Sequence, residues 1–421
     1  MMNYRVFGKA SVRALFLVVF ATFVMGLQHV ASAQVAVRGE RVYTMAGDVI
    51  ENGVVIIEDG KITRVGSADR VSIPRGMRVI EAAVVTPGLI DAHTVVGMAG
   101  QFNYDHDQDQ LEKSEAMQAE LRAIDGFNIH ERLVTWVREL GVTTVHTGHG
   151  PGAVISGQTM IVKTWGNTVD EAIVVPEAMV AASLGESPLT DEGSKSPGTR
   201  SKAIAMLRNE LVRAQEYQSG VASKDEKKRP KRDLRLEALV GVLDKQKPLL
   251  VTVHRHHDIV AALRVAKEFD IRMVLDGVSD AQLVLETLKE SAVPIILHPT
   301  MMRASWFGAS ETENASMETA AVLRRNGIRF ALQSGYESYV PKTRVVLFEA
   351  AMAAAYGLSF EEALATITID AAAILGVDKR LGSLEKGKDG DLALFDGNPF
   401  EYTSHCVGVI INGQVVSEEA H

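Results

Sequence analysis

The stretch Thr86-Pro87-Gly88-Leu89-Ile90-Asp91-Ala92-His93 decides how this chain reads. A short apolar run, opened by Pro-Gly and closed by a polar His, has the form of a buried β-strand with a reactive side chain at its C-terminal end. Five more runs read as such strands, three of them also ending in His: Thr143-Thr144-Val145-His146, Leu249-Leu250-Val251-Thr252-Val253-His254, Ile271-Arg272-Met273-Val274-Leu275, Pro294-Ile295-Ile296-Leu297-His298 and Ile328-Arg329-Phe330-Ala331-Leu332. Amphipathic helical stretches separate them, clearest at Asp258 to Phe269 and Ala281 to Glu290, the pattern of parallel βα units. About eight units fit the length, so the expected fold is α/β, a TIM-type (β/α)8 barrel. The alternative is an open doubly wound sheet, but no Gly-x-Gly-x-x-Gly opens a helix after a strand.

Moving outward, both ends change texture. Residues 35–86 hold short apolar runs bounded by Gly and Asp, such as Gly53-Val54-Val55-Ile56-Ile57-Glu58-Asp59-Gly60. The C-terminus repeats this in Asp391-Leu392-Ala393-Leu394-Phe395-Asp396-Gly397 and Val409-Ile410-Ile411-Asn412-Gly413. The expected division is a signal peptide over 1–33, a small β-sandwich-like domain from 34–86 and 382–421, and the barrel over 87–381. Two polar runs, Tyr104 to Gln110 and Lys224 to Asp233, read as solvated loops or helix ends.

The first 33 residues have the make-up of a cleavable export signal. Arg5, Lys9 and Arg13 precede an apolar run from Ala14 to Leu27, and Ala31-Ser32-Ala33 supplies a small-residue cleavage site. The apolar run is short of the roughly 20 residues needed to span a bilayer. A secreted or periplasmic protein with no stable membrane anchor is therefore expected. The chain carries a net charge of −9, and cleaving this positive segment makes it more acidic, which argues against nucleic-acid or anionic-membrane partners. Cys406 is the only cysteine, so stability must come from the core or from assembly.

Reactive groups in such barrels gather at the C-terminal ends of the strands. His93, His146, His254, Asp276 and His298 fall there, each with a plain structural reading beside a functional one. His149, His256 and His257 lie close by in sequence.

The opening stretch resembles the first-strand signature of the amidohydrolase superfamily. Ala363 to Ala372 and Leu381 to Asp391 are similar to its C-terminal pattern, and Gly152 to Gln158 and Leu184 to Pro188 resemble the imidazolonepropionase-like branch. The likeness covers essentially the whole mature chain. It implies a hydrolase acting on C–N bonds of small amides, cyclic amides or peptide derivatives. Such enzymes use Zn²⁺ or another divalent ion to lower the pKa of a bound water.

Carried over residue by residue, the resemblance makes His93, Lys163, His254 and Asp276 the candidate metal ligands. The first strand of the family has a second His two residues on, where this chain has Val95. Lys163 matches a lysine that can be carboxylated to bridge two metals, and a surface lysine is its plainer reading. Asp276 replaces the sixth-strand His and either binds metal through oxygen or caps the next helix. The eighth-strand Asp that shuttles protons falls on Gly335, and a one-residue slip to Ser334 or Tyr336 supplies no substitute. Neither Glu337 nor Asp370 has the spacing for that role, so no catalytic base is assigned. A rebuilt three-His site from His93, His254 and His298 is a further option.

Two readings follow. One is an exported hydrolase with a degenerate metal site and a small-molecule C–N substrate. The other is a catalytically inactive homologue, without a metal, that acts as a binding or partner subunit. A homo-oligomer or a pairing with an active homologue is left open. The loops Gln101 to Gln110 and Trp306 to Asn314 would carry specificity.

Overall fold

The first four strands of the computed structural model are β1 (Val35–Val42), β2 (Ile50–Glu58), β3 (Lys61–Ser67) and β4 (Arg78–Pro87). The structure describes residues 34–102, 104–189, 196–301, 310–336 and 345–421. The expected signal segment, Trp306 and Glu337 lie outside the described residues. A long α/β stretch follows, with strands β5 (Leu89–Thr94), β6 (Val142–Thr147), β7 (Ile155–Gln158), β8 (Met160–Lys163), β9 (Ile173–Val175), β10 (Val180–Ser183), β11 (Leu249–Val253), β12 (Met273–Gly277), β13 (Ile295–Leu297) and β14 (Phe330–Ala331). The chain ends in β15 (Leu392–Phe395), β16 (Cys406–Ile411) and β17 (Gln414–Ser417). Among the described residues no helix is long and apolar enough to cross a membrane.

Both ends of the chain meet in one seven-stranded sheet, ordered β17-β16-β15-β4-β1-β2-β3. Strand β4 lies parallel to β1 on one side and antiparallel to β15 on the other. The sheet folds over, so that the Asp59-Gly60 turn touches the Asn412-Gly413 turn. Inside it Val37, Val55, Ile57, Val85, Leu392, Leu394 and Ile410 pack as one cluster. β15 is buried along its whole length and β2 from Gly53 to Ile57, so both stand out in the sequence as continuous apolar runs bounded by Gly and Asp.

The remaining strands form a six-stranded sheet, β14-β13-β12-β11-β10-β7, and a four-stranded sheet, β5-β6-β8-β9. Pairings β10·β11, β11·β12, β12·β13, β13·β14 and β5·β6 are parallel. Strands β7 and β8 run antiparallel to β10 and β6 respectively. Only Thr159 separates β7 from β8, and its N–H donates to Met179 O at 2.9 Å. At the other edge Ala92 N–H donates to Leu332 O and Gly335 N–H to His93 O, both at 3.3 Å. Helices lie between the parallel strands, including His256–Phe269 and Leu285–Ser291 where helical periodicity pointed. The charged run from Lys224 is exposed and ends at Asp233, which caps the helix Leu234–Leu243.

The strands build layers. Ile90 and Ala92 of β5, Ile161 of β8, Leu250 of β11, Val274 of β12, Ile296 of β13 and Ala331 of β14 meet in one buried apolar cluster. Two residues further along the parallel strands come Thr252, Asp276, His298 and Gln333, all buried. Residues i and i+2 share a face of a strand, so this polar tier sits directly above the apolar one, at the C-terminal ends.

Candidate active site

Polar side chains placed above an apolar layer must satisfy one another or face a ligand, and most of this tier does the former. Asp276 Oδ2 accepts from Thr252 Oγ1 of the neighbouring strand, and Asp276 Oδ1 accepts from Gln333 Nε2, both at 2.6 Å. His93, also fully buried, brings Nδ1 to 3.2 Å from Asp276 Oδ2. Burial pushes the Asp276 carboxyl up, but His93, Thr252 and Gln333 together hold it below the ordinary carboxylate range. The helix-capping role expected as one option for Asp276 is not what the structure gives: the side chain ties β11, β12 and the end of β14 together.

His254 follows β11 directly and is engaged at both ring nitrogens. Nδ1 lies 2.8 Å from Ser279 Oγ, and Nε2 lies 2.9 Å from Tyr336 Oη. Burial drives its pKa down to about 4, against the pull of Asp276 and Asp280, so the imidazole is neutral at pH 7. Gly277 makes room for it with a φ of +88°, and a Cβ there would sit 2.6 Å from His254 Cε1. Gly277→Ala is expected to push the ring off both partners and cost about 1–3 kcal/mol, as overpacked positions do. Urea unfolding measures this, and unchanged stability would show that the ring is not so held.

The Tyr336 ring stands 5.7 Å from His93, centroid to centroid, and joins the two halves of the group. His146 lies equally close to His93 but is committed elsewhere, with Nδ1 2.6 Å from Ala92 O and Nε2 2.7 Å from Thr159 Oγ1. Burial and then His93 push its pKa down to about 3. His149 is different. Both its ring nitrogens are buried without a hydrogen-bond partner, and burial alone brings it down to about 4. The ring fits against Gly157, where a side chain would collide with it. His93 Nδ1 meets Asp276 as a close charge contact outside hydrogen-bond geometry, and Nε2 has no partner.

Three of the four expected ligand positions therefore come together: His93, His254 and Asp276. Lys163 does not. It ends β8, which runs against β6, so the side chain emerges below the apolar tier and not above it. There it is buried in an ion cluster with Asp391 and Asp389, the latter at 3.3 Å, and Lys61 and Arg380 also reach Asp389. The reading of Lys163 as a bridging ligand is corrected by that reversed strand direction. The three-His alternative fares no better, because His298 Nδ1 turns to its own Pro299 O at 2.7 Å. His256 and His257 lie on the surface beside Asp280 and Asp258.

The missing eighth-strand acid is also explained. Gly335 has a φ of +105° and hydrogen-bonds to the β5 backbone, while Ser334 donates through N–H and Oγ to Asp91. Burial raises Asp91 to about 6, although the Ser334 bonds partly offset this. The end of β14 is thus tied to β5 by hydrogen bonds and supplies no acid. Gln333 carries a role that sequence reasoning missed; its signal was its place two residues after inward-facing Ala331.

These residues do not fit a two-metal centre. Val95 and Gly335 contribute no donor, Lys163 is elsewhere, and both nitrogens of His254 and both oxygens of Asp276 are hydrogen-bonded within the protein. Among the described residues no three His, Cys, Asp or Glu side chains converge to hold an ion. What the arrangement offers is one carboxylate–imidazole pair, one tyrosine hydroxyl held by a neutral imidazole, and an unpartnered His149.

Comparison with known proteins supports the fold and the class. Residues 258–417 match the family model described as "Amidohydrolase family". The chain is 25% identical over 395 residues to the amidohydrolase tasK of Hapsidospora irregularis, covering 86% of this chain but only 39% of that larger protein. It is 26% identical to the imidazolonepropionase of Sphingopyxis alaskensis, covering 86% of this chain and 91% of that one. Among solved structures, an amidohydrolase from Thermotoga maritima superposes with a TM-score of 0.85 at 26% identity, covering 91% of this chain and all of the other.

Proposed function

We propose that this chain is an exported hydrolase of small-molecule C–N bonds with a degenerate metal site, a reading supported by its similarity to amidohydrolases and imidazolonepropionases. One observation carries this: His93, Asp276 and His254, on three different strands, gather around Tyr336 at the C-terminal ends. That is where barrel enzymes keep their chemistry. We read the two middle sheets as one closed (β/α)8-type barrel with a reversed strand. The parallel bridge Thr94–Gly335 at one seam, the Thr159 hydrogen bonds at the other and the shared inner cluster support this reading.

The test is turnover. Purified mature protein is given a panel of N-acyl amino acids, lactams and imidazolones, as isolated and with added Zn²⁺, Mn²⁺ or Co²⁺, and amine release or ring opening is followed by mass spectrometry. Turnover that disappears in His93→Ala is the expected result. A second reading, a binding or partner subunit without catalysis, draws on the internal hydrogen bonding of His254 and Asp276. It would be favoured if nothing on the panel were cleaved while panel compounds, or an active homologue, still raised the melting temperature.

A further inference from the structure

We propose that this site works without a metal, with His93 as the base, Asp276 as its positioning residue and Tyr336 as the acid; the inference rests on the hydrolase reading above. Its starting point is the mismatch between the donors present and the ion that relatives use. Donors that would have surrounded an ion are turned on one another, in two arrays joined by the His93 and Tyr336 rings, whose centroids lie 5.7 Å apart.

In the first array Asp276 is fixed by Thr252 and Gln333, and Gln333 is itself anchored through Nε2 to Leu297 O at 2.9 Å. The carboxylate is thereby presented to His93 Nδ1 at 3.2 Å, leaving Nε2 of a fully buried ring without a partner. A carboxylate beside one imidazole nitrogen with the other nitrogen open is the arrangement of a general base, in which the nearby charge steadies the imidazolium. In the second array Ser279 holds His254, and His254 holds the Tyr336 hydroxyl. Tyr336 is the partly exposed member of the group, and its ring lies 5.7 Å from that of His93.

The step balances with water as the only co-reactant. His93 Nε2 takes a proton from water as the water oxygen bonds to the acyl carbon. The C–N bond then breaks, and the Tyr336 hydroxyl gives its proton to the departing nitrogen. The imidazolium returns the water's proton to the phenolate. The net change is amide plus water to carboxylic acid plus amine, with no oxidation.

The experiment uses the full mature chain after dialysis against 1,10-phenanthroline, with 4-nitroacetanilide and Zn²⁺ as probes. Expected are substoichiometric metal by mass spectrometry, no shift in melting temperature on adding Zn²⁺, and nitroaniline release equal before and after chelation. Asp276→Asn should lower kcat by about 10²- to 10⁴-fold, the range for a lost acid–base function, with KM unchanged and the fold intact by circular dichroism. Tyr336→Phe should lower kcat in the same way. Activity abolished by the chelator and restored by Zn²⁺, or a Zn²⁺-induced stabilisation lost in His93→Ala, would overturn the inference and leave the hydrolase reading standing. Full kcat in Asp276→Asn would overturn it too. Release in neither state would overturn both.

Discussion

Between pH 7 and about pH 4 the folded chain is expected to lose roughly 4 kcal/mol of stability, the balance of two opposing groups of buried side chains. His146, His149 and His254 titrate at about 3, 4 and 4 in the fold, against 6.5 in the unfolded chain. Their neutral forms are undisturbed above pH 6.5, and stability drains away as the pH falls towards those values. Each pH unit between the unfolded and folded titration points is worth about 1.4 kcal/mol, so the loss is roughly 10 kcal/mol. Asp91 and Glu311 act in the other direction, because burial raises them to about 6 and about 7 and the fold gains as they protonate. Their combined gain is roughly 6 kcal/mol on the same scale. The histidines win. Chemical denaturation at the two pH values measures the difference, and His149→Gln should remove about a third of the histidine part. Equal midpoints at both pH values would show that these rings take up protons without unfolding.

The second large effect lies below the apolar tier. Lys163→Met is expected to destabilise the protein by about 3–5 kcal/mol, because it leaves Asp389 and Asp391 buried beside each other with their central cation gone. The exposed Lys61 and Arg380 can compensate Asp389 only in part. Turnover and metal content should stay as in the parent chain. If Lys163→Met instead altered metal content at nearly unchanged stability, the lysine would belong with the histidines after all, and the direction of β8 would need revision.

Lys163 also marks where the sequence stopped being readable. The strands of β-branched residues bounded by turns were legible, as was the helix His256–Phe269, because both rest on local periodicity. The gathering of His93, His254 and Asp276 followed from a simple rule, that each ends a parallel strand. Lys163 ends a strand as well, but the rule assumes parallel direction, and the reversal depends on pairings across β6 and β10. Its carboxylate partners lie more than two hundred residues further on. Nothing near Lys163 names them. Gln333 is hard to read for a related reason: its partner Asp276 lies 57 residues away on another strand, and no local pattern joins the two.

Strand β4 has one flank bonded to β1, which is made just before it, and the other to β15, which is made almost last. As the chain is threaded out from its N-terminus, that second flank waits with a row of vacant N–H and C=O groups while residues 88–391 go by. An open edge of this kind recruits whatever strand comes first, including one from a neighbouring molecule. A chain clipped ahead of Leu392 would therefore do more than lose a tail: it would carry a permanent template for aggregation. Pairing with β15 is what covers that flank of β4.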